Sequence, residues 1–192
     1  VYPLYRMTWE VLDWVFPPRC AGCDRPGVRW CPECQADVKP LGMEVCPVCG
    51  MPQSKNEACR SCKTHPPYYE ALRSWAGFEG SLRKVLHRLK YRRDLALGQS
   101  LAELMLPTLR RLDWPVDVVV PIPLSRQRQS QRGYNQAALI ARPLAMALNL
   151  PFAPRALTRP RESRSQVGLN REQRRENVSG AFQAAPTLTR GR

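Results

Sequence analysis

The sequence predicts an α/β protein with a cysteine-rich first part, and three observations support this prediction. All eight cysteines stand in four Cys-x-x-Cys pairs between residues 20 and 62. Downstream, two segments with helical apolar spacing precede a short β-branched segment at 116–120, and another helical segment follows it. The net charge is +14, and residues 70–192 supply +13 of it with 22 basic and 9 acidic side chains. Helices that alternate with a buried strand are typical of α/β folds, and the positive charge indicates an anionic ligand.

The first 18 residues are expected to form an N-terminal helix that docks on the rest of the protein. Its apolar face consists of Leu4, Thr8, Val11, Leu12 and Val15. A proline pair at 17–18 ends the pattern. No apolar run is long enough to span a membrane. The opening residues also lack a basic region followed by an unbroken apolar one, so we expect no signal peptide and a cytoplasmic location.

The cysteine pairs predict two zinc sites within a module at 19–66. A Cys-x-x-Cys turn directs two sulfurs to one point, and two such turns complete a tetrahedral thiolate site. The eight expected ligands are Cys20, Cys23, Cys31, Cys34, Cys46, Cys49, Cys59 and Cys62. We expect sequential pairing, because gaps of seven and nine residues suit short ribbon loops, whereas a cross-brace would interleave the pairs. Gly50 allows a tight turn after its pair, and 31–34 is expected to be a similar knuckle.

Other uses of these cysteines fit the sequence less well. Four disulfides in a secreted module would not require a two-residue gap in every pair, and redox Cys-x-x-Cys chemistry normally uses one pair. His65 follows the last pair and is expected to be a linker residue, since eight cysteines already complete two sites. About 45 residues cannot fold alone, so we expect the metal to supply folding energy. A site closed by four thiolates leaves no position for a substrate, which indicates a structural role.

The second part is expected to occupy 67–192, after a stiff proline-containing linker. Helical spacing is formed first by Leu82, Val85, Leu86 and Leu89, and then by Leu97, Leu101, Leu104 and Met105. The segment 116–120 is short and β-branched and is followed by prolines, so we expect a buried parallel strand. Asn135 should cap a helix that runs to Leu148, and Pro143 should kink or split that helix.

Two polar segments of the second part contain candidate ligands. The loop 125–133 follows the carboxyl end of the expected strand and precedes a helix, which is where α/β sheets bind anions. Its candidate phosphate ligands, with the start of the next helix, are Ser125, Arg126, Arg128, Arg132, Gly133, Asn135 and Gln136. The arginine-rich segment 159–177 is expected to be a mobile loop that closes over an anionic substrate. A solvated loop and a solvated, partly helical segment are the respective alternatives.

Together these features resemble the ComF family of phosphoribosyltransferase-like proteins over nearly the whole chain. The double Cys-x-x-Cys ribbon carries the likeness in the first part. In the second part the matching motifs are His87-Arg88-Leu89-Lys90-Tyr91, and Val120-Pro121-Ile122-Pro123-Leu124 followed by Arg132-Gly133-Tyr134-Asn135-Gln136. Two further motifs are Arg159-x-Arg161-x-Ser163-x-x-Gln166-x-x-Leu169 and Arg174-x-x-Asn177-x-x-Gly180-x-Phe182.

The resemblance implies a second part similar to type I phosphoribosyltransferases, which use phosphoribosyl pyrophosphate with Mg²⁺. The pyrophosphate loop of that fold maps onto 125–133, and the flexible loop that covers the sugar maps onto 163–177. Lys90 and Gln166 join the expected substrate ligands on the same basis. The implied reaction displaces pyrophosphate from C1 of the ribose. Its candidate catalytic residues are Arg164, Arg171 and Arg174, which would stabilise the leaving pyrophosphate.

The resemblance is incomplete at the C-terminal end. The family carries a strand that ends in two acidic residues, followed by a Thr- and Gly-rich turn that grips the ribose 5-phosphate. No such motif stands before Arg192. We therefore expect a C-terminally truncated chain, whose second part lacks its ribose-phosphate motif and shows little or no transferase activity.

Two other functions compete with the transferase-like one. ComF relatives are linked to DNA uptake in natural competence, so the basic part is a candidate binder of single-stranded DNA or of competence helicase machinery. Against DNA binding, aromatic residues do not interleave with the basic ones except at Tyr91 and Tyr134, so no base-stacking platform is evident. The third function is a zinc-held scaffold that docks partner proteins.

Overall fold

A computed structural model describes residues 2–15 and 17–189 of the 192-residue chain. Within them the chain forms nine helices and two short strands. In chain order these are α1 (Tyr2–Val15), α2 (Pro32–Ala36), α3 (Arg60–Thr64), α4 (Gly80–Tyr91), α5 (Leu97–Leu112), α6 (Arg126–Arg132), α7 (Gln136–Leu148), β1 (Leu157–Thr158), α8 (Arg171–Val178), β2 (Gln183–Ala184) and α9 (Pro186–Thr189). None of the described helices combines the length and the apolar character that a bilayer crossing requires.

The N-terminal helix α1 contacts α7 and reaches α5. The Gln99 amide of α5 donates a hydrogen bond of 3.0 Å to the Tyr2 hydroxyl. The predicted docking face included Leu4, but this prediction is wrong, since Leu4 is 69% exposed. Tyr2 makes the contact with α5 instead. The remaining positions of that face have side chains outside the described part of the structure; they are Thr8, Val11, Leu12 and Val15.

The main hydrophobic core joins the cysteine-rich part to α4 and α5. Both helices form where the sequence predicts them. Five of the eight expected apolar positions are buried, and the other three, Leu86, Leu104 and Met105, are half-buried. The core consists of Cys20, Ala21, Trp30, Cys31, Leu82, Val85, Leu89, Leu97 and Leu101. The first cysteine cluster is thus in direct contact with the helical part. The division of the chain at residues 66 and 67 stays a prediction.

The segment 116–120 is extended but does not form the buried parallel strand that the sequence predicts. Val119 makes a single parallel bridge with Phe152. Its amide donates to the Pro151 carbonyl at 2.9 Å, and the Ala153 amide donates to the Val119 carbonyl at 3.0 Å. A strand is buried in a parallel sheet when neighbours pair along its length and helices cover both faces. Among the described residues, this bridge is the only strand-like pairing of the segment.

The predicted loop at 125–133 is wrong for most of its length, because α6 occupies 126–132. Ser125 is the extended residue that precedes the helix, and Gly133 ends it with a φ of 78°. Glycine adopts this left-handed conformation without the steric cost that a side chain would add. The segment has no apolar periodicity, which is why hydrophobic spacing did not predict this helix.

The helix α7 begins as predicted and continues through its internal proline. The Asn135 side chain accepts hydrogen bonds from the amides of Ala137 at 2.9 Å and Ala138 at 3.4 Å. Pro143 does not split the helix, which is continuous from Gln136 to Leu148. Proline lacks an amide hydrogen, so the carbonyl four residues earlier loses its helical partner, while bonds on either side hold the turn.

The C-terminal region contains the two-stranded antiparallel sheet and α8. Leu157 pairs with Ala184, and Thr158 pairs with Gln183. The predicted loop 163–177 is helical in its second half, since α8 begins at residue 171. A capping box starts this helix: the Asn170 side chain and the side chain of the third helical residue each accept a hydrogen bond from the other's backbone amide. The sequence predicted an α/β fold, and the described residues form mainly helices with few strands.

Candidate zinc centres and basic ligand surface

The eight cysteines form two separate clusters. Cys20, Cys23, Cys31 and Cys34 make the first cluster, and Cys46, Cys49, Cys59 and Cys62 make the second. Within each cluster the four sulfur atoms lie within 4.8 Å of one another. The predicted sequential pairing is therefore confirmed. All eight are free cysteines rather than disulfides, and His65 belongs to neither cluster.

The sulfur positions fit a tetrahedral zinc ion. A zinc–sulfur bond of about 2.3 Å places tetrahedral ligands about 3.8 Å apart. The observed Sγ–Sγ distance is 3.7 Å both between Cys23 and Cys31 and between Cys49 and Cys59. The chain therefore has two zinc-binding sites of four cysteines each, and the four thiolates leave no open position for a substrate.

The two sites share one local design, and their knuckles begin 26 residues apart. In each site the first cysteine pair forms a knuckle that ends in a left-handed residue, Asp24 with a φ of 65° and Gly50 with a φ of 69°. The second pair starts a short helix, with Cys31 capping α2 and Cys59 capping α3. The prediction of a second knuckle at 31–34 is wrong, because Pro32 occupies the first helical position, where proline is favoured.

Backbone amides point at the first sulfur of each site. The Cys31 amide lies 3.3 Å from Cys20 Sγ, and the Cys59 amide lies 3.3 Å from Cys46 Sγ. Burial raises the pKa of Cys20, but the neighbouring amides outweigh it and bring the pKa down to about 6. Burial and the adjacent sulfurs raise the pKa of Cys34 instead. Four thiolates at one point need a cation between them, and Zn²⁺ supplies that charge.

The first site belongs to the main core, whereas a later segment holds the second. Cys20 and Cys31 are each 1% exposed and pack with α4 and α5. At the second site, the Leu72 amide donates to the Val48 carbonyl at 2.7 Å. The Arg73 guanidinium also donates to carbonyls of that knuckle. We therefore expect the first zinc to support the helical core directly.

Three aromatic rings form a row on the outer face of α4. Phe78 precedes the helix, and its ring centroid lies 6.1 Å from that of His87. The His87 ring lies 5.6 Å from the Tyr91 ring, one helical turn later. All three side chains are exposed. From the sequence, only Tyr91 and Tyr134 were considered beside the basic residues, and Phe78 and His87 join Tyr91 in the fold because α4 brings them together.

A groove of about 940 Å³ runs between this face of α4 and the first zinc knuckle. One wall consists of residues 20–24, and the other carries His87, Tyr91 and four cationic side chains. These cations are Arg83, Lys84, Arg88 and Arg92. Lys84 Nζ also donates to the Gly22 carbonyl at 3.0 Å, which ties the two walls together.

Arg88 belongs to a half-buried ion-pair network that holds the fold. It lies 3.0 Å from Asp94, and its guanidinium donates to the Cys20 carbonyl at 3.2 Å. Arg29 lies 3.9 Å from the same Asp94 and pairs with Asp13 of α1. The network joins α1, the first zinc knuckle and α4. The basic residues of α4 therefore differ in role, since Arg88 is held by partners while Arg83 and Arg92 are exposed.

Tyr91 is the point at which predicted substrate ligands from two segments meet. Lys90 Nζ lies 4.9 Å from the Tyr91 ring centroid, and the Arg132 guanidinium of α6 lies 5.7 Å from it. Lys90 lowers the pKa of Tyr91 most strongly, and the charges of Arg132 and Arg128 lower it further. The structure thus places Lys90 and Arg132 at one aromatic ring, with the charge of Arg128 acting on the same tyrosine.

A second group beside α6 contains two residues that the sequence did not identify as ligands, Arg159 and Glu162. Glu162 accepts a hydrogen bond of 2.9 Å from the Gln127 amide, and Ser125 faces the same carboxylate. Arg159 donates to the Ser163 hydroxyl and lies 5.2 Å from the Phe182 ring centroid. Burial lowers the pKa of Arg159, and the nearby charge of Arg128 lowers it further. No sequence pattern indicates this burial, since Arg159 stands in a polar, arginine-rich segment.

Other predicted phosphate ligands serve the local structure. Asn135 caps α7, and its Nδ2 donates to the Ile122 carbonyl at 3.0 Å. Gly133 ends α6, as described above. Arg126 is exposed at the start of α6, and Gln136 is half-buried at the start of α7. Asn135 and Gly133 thus position α6 and α7, whereas the sequence predicted a role in ligand binding for both residues.

The predicted residues of the segment 163–177 lie on its surface. The exposed residues are Gln166, Arg164, Arg171 and Arg174. The Asn177 side chain donates to the Arg164 carbonyl at 3.0 Å, which closes the segment onto α8. No contact found within the described part of the chain joins these four side chains to Tyr91. Their expected roles therefore stay predictions.

Comparison with known proteins places this architecture in a family. Residues 11–63 match the double zinc ribbon domain. The DNA utilization protein YhgH of Escherichia coli K12 is 32% identical over 145 residues, which cover 72% of this chain and 63% of that protein. The competence protein ComFC of Bacillus subtilis is 31% identical over 125 residues, covering 61% of this chain and 52% of that protein. The chain belongs to the ComF family.

Other ComF relatives extend the likeness. Competence protein F of Haemophilus influenzae is 28% identical over 162 residues, covering 81% of this chain and 69% of that protein. The match to the first relatives spans only 63% of their length, so the activity of a whole ComF protein is for this chain a matter of proposal. No solved structure matches the chain, and the phosphoribosyltransferase-like fold therefore stays a prediction.

Proposed function

We propose that this ComF-family chain binds single-stranded DNA along the outer face of α4 and acts in the use of incoming DNA. The observation that carries the proposal is the row of three exposed rings, Phe78, His87 and Tyr91, beside a cationic groove. The names of the relatives, which refer to DNA utilization and competence, agree with it. In a whole ComF protein, the helicase machinery of DNA uptake is the corresponding partner.

The row and the groove supply the two interactions that sequence-independent single-strand binding needs. Exposed rings stack on bases, and nearby cations neutralise the phosphates between them. Arg83 of α4 and Arg92, which directly follows α4, are exposed on the groove wall about two and a half helical turns apart. Arg132 and Lys90 add charge at the Tyr91 end. A strand laid along α4 would therefore meet the row of rings with its bases and the cations of the groove wall with its phosphates.

The test is fluorescence anisotropy of a labelled single-stranded oligonucleotide with the 192-residue chain, repeated at several salt concentrations. Tyr91→Ala should weaken binding about fivefold or more, because one stacked base contributes about 1–3 kcal/mol. Tyr68→Ala is the matched control, since Tyr68 is a fully exposed tyrosine outside the row. Equal effects of the two substitutions, or binding that does not respond to salt, would refute the proposal.

A phosphorylated sugar is the second candidate ligand, and the cations beside α6 favour it. Lys90, Arg128 and Arg132 converge at Tyr91, with Arg159 close to Arg128. Charge-assisted hydrogen bonds from arginine suit a pyrophosphate group. The family resemblance implies phosphoribosyl pyrophosphate with Mg²⁺ as this ligand, and in this candidate function Arg164, Arg171 and Arg174 would stabilise the leaving group.

Calorimetric titration tests this second candidate. Phosphoribosyl pyrophosphate should bind the chain saturably in the presence of Mg²⁺, and Arg132→Ala should weaken that binding. Absence of heat with both Mg²⁺ and ligand present would count against the candidate. We expect no turnover of a labelled donor by residues 1–192 alone, so measured transferase activity would contradict the expected inactivity of this part of the protein.

A further inference from the structure

Glu162 is an isolated negative charge in a basic stretch of the chain. Residues 118–171 contain nine arginines, and Glu162 is their only acidic residue. The next acidic residues along the chain are Asp117 and Glu172. A single carboxylate among many guanidinium groups is attracted to the nearest cations and hydrogen-bond donors. The contacts of Glu162 therefore identify the donors that hold the one carboxylate of this stretch.

The carboxylate of Glu162 lies on the donors that begin α6. Its Oε1 accepts the Gln127 amide hydrogen bond at 2.9 Å, although 35 residues separate the two. Ser125 is 1% exposed, and its buried Oγ has no hydrogen-bond partner within the described residues. Ser125 and the Gln127 amide lower the pKa of Glu162, and the charges of Arg159 and Arg128 lower it further. One bonded backbone amide, one unpaired buried hydroxyl and two neighbouring guanidinium groups therefore surround this position, and such groups suit a phosphate.

The donors beside Glu162 are not saturated by it. Arg159 is 9% exposed, and its buried Nε has no hydrogen-bond partner within the described residues. A buried guanidinium hydrogen without a partner is costly and is normally satisfied by protein, water or a ligand. Glu162 itself is exposed, so it can leave this position without opening the core. The site thus combines buried donors with a removable anion.

We propose that Glu162 is an internal mimic of phosphate, which occupies the anion site at Ser125, Gln127, Arg128 and Arg159 and must be displaced by a phosphorylated ligand. This inference rests on the second candidate function above. Displacement does not require the segment to unfold, because neighbouring contacts hold it independently. Arg161 donates to the Asn177 carbonyl at 3.2 Å and to the Ser179 carbonyl, which fixes the segment to the end of α8.

Calorimetric titration of inorganic pyrophosphate into the whole 192-residue chain tests the inference. Glu162→Gln keeps the shape of the side chain and removes its charge, and should tighten binding about tenfold, since charged hydrogen bonds of this kind are strong. Glu172→Gln is the matched control, because it makes the same charge change at an exposed position on α8, outside the donor set. We expect less than a twofold effect from the control.

A second variant shows where the added pyrophosphate binds. Placing Arg128→Ala in the Glu162→Gln background should remove the gain, because both changes act on the same donor set. Zinc content and circular dichroism of each variant establish that it is folded. Tighter binding in Glu162→Gln, reversed by Arg128→Ala, would support the proposal.

The failures are distinguishable. Equal pyrophosphate affinity in the unsubstituted chain and Glu162→Gln would overturn the mimic while leaving the phosphate site in place. Equal gains in Glu162→Gln and Glu172→Gln would overturn it in favour of a general charge effect. A loss of thermal stability in Glu162→Gln without a change in pyrophosphate affinity would mean that Glu162 only caps α6, and it would overturn the proposal. No binding by any variant would refute the phosphate site itself, and the mimic with it.

Discussion

Gly98 of α5 packs directly against Leu139 of α7, and Gly98→Ala should separate the two helices. A Cβ atom added at Gly98 would lie 2.7 Å from the Leu139 carbonyl oxygen and 2.8 Å from the Leu139 Cβ. This carbonyl stands four residues before Pro143, so proline has removed its helical hydrogen-bond partner. The Gly98 Cα therefore packs directly against a peptide oxygen that has lost its helical hydrogen-bond partner, and the two helices depend on that contact.

The cost of the substitution follows from these distances. Carbon and oxygen approach to about 3.3 Å at closest, so the helices must move apart by about 0.6 Å. Overpacking of a close contact costs about 1–3 kcal/mol, and the upper part of that range, about 2–3 kcal/mol, applies here because the clashing atoms are backbone and Cβ atoms of Leu139 that cannot rotate away. Replacing glycine by alanine inside a helix returns about 1 kcal/mol through helix propensity. The net free energy of unfolding should fall by about 1–2 kcal/mol, which lowers the Tm of a chain of this size by roughly 2–8 °C.

Thermal unfolding followed by circular dichroism, at a fixed excess of zinc, measures this change. Gly77→Ala is the matched control, because a Cβ atom there meets nothing closer than 3.5 Å. That substitution should be neutral or slightly stabilising, since alanine restricts the unfolded chain more than glycine does. A Tm for Gly98→Ala equal to or above that of the unsubstituted chain would refute the packing argument.

Two further predictions concern the zinc sites and the ion-pair network. Cys31→Ser and Cys59→Ser should each leave one zinc per chain by metal analysis. Only Cys31→Ser should reduce the hydrogen-exchange protection of α4 and α5, because Cys31 lies in their core. Equal protection in both variants would contradict this prediction. Asp94→Ala should cost about 1–3 kcal/mol in chemical denaturation, because two half-buried arginines lose their shared carboxylate. Glu79→Ala, which breaks an exposed pair, should cost less than about 1 kcal/mol, and equal costs would contradict the network.

The zinc sites and the long helices could be predicted from the sequence because their determinants are local. A Cys-x-x-Cys turn fixes two sulfurs within four residues, and zinc imposes the rest of the geometry. The apolar spacing of α4 and α5 likewise identifies their buried faces within a few turns. The cap at Asn135 was visible for the same reason, since a capping side chain bonds to amides two or three residues later.

The parts that the sequence did not predict depend on distant residues. The helix α6 has no apolar face, and its first turn is bonded to Glu162, which follows 35 residues after Gln127. The extended segment at 116–120 has the composition of a buried strand, but burial requires neighbouring strands, and one bridge to Phe152 does not provide them. The ring row on α4 was missed because Phe78 lies nine residues before His87 in the chain, yet next to it in space.

The first zinc site also acts on the charge of the proposed DNA-binding face. Four thiolates and one Zn²⁺ carry a net charge of −2, and this site lies across the groove from the cations of α4. Lys84 and Arg88 donate hydrogen bonds to the knuckle carbonyls, and Arg83 and Arg92 are exposed on the same wall. Loss of the first zinc would therefore change core packing and groove charge together. Variants of the second site, such as Cys59→Ser, change zinc content without touching the groove, so they separate a structural effect of zinc from its effect on DNA binding.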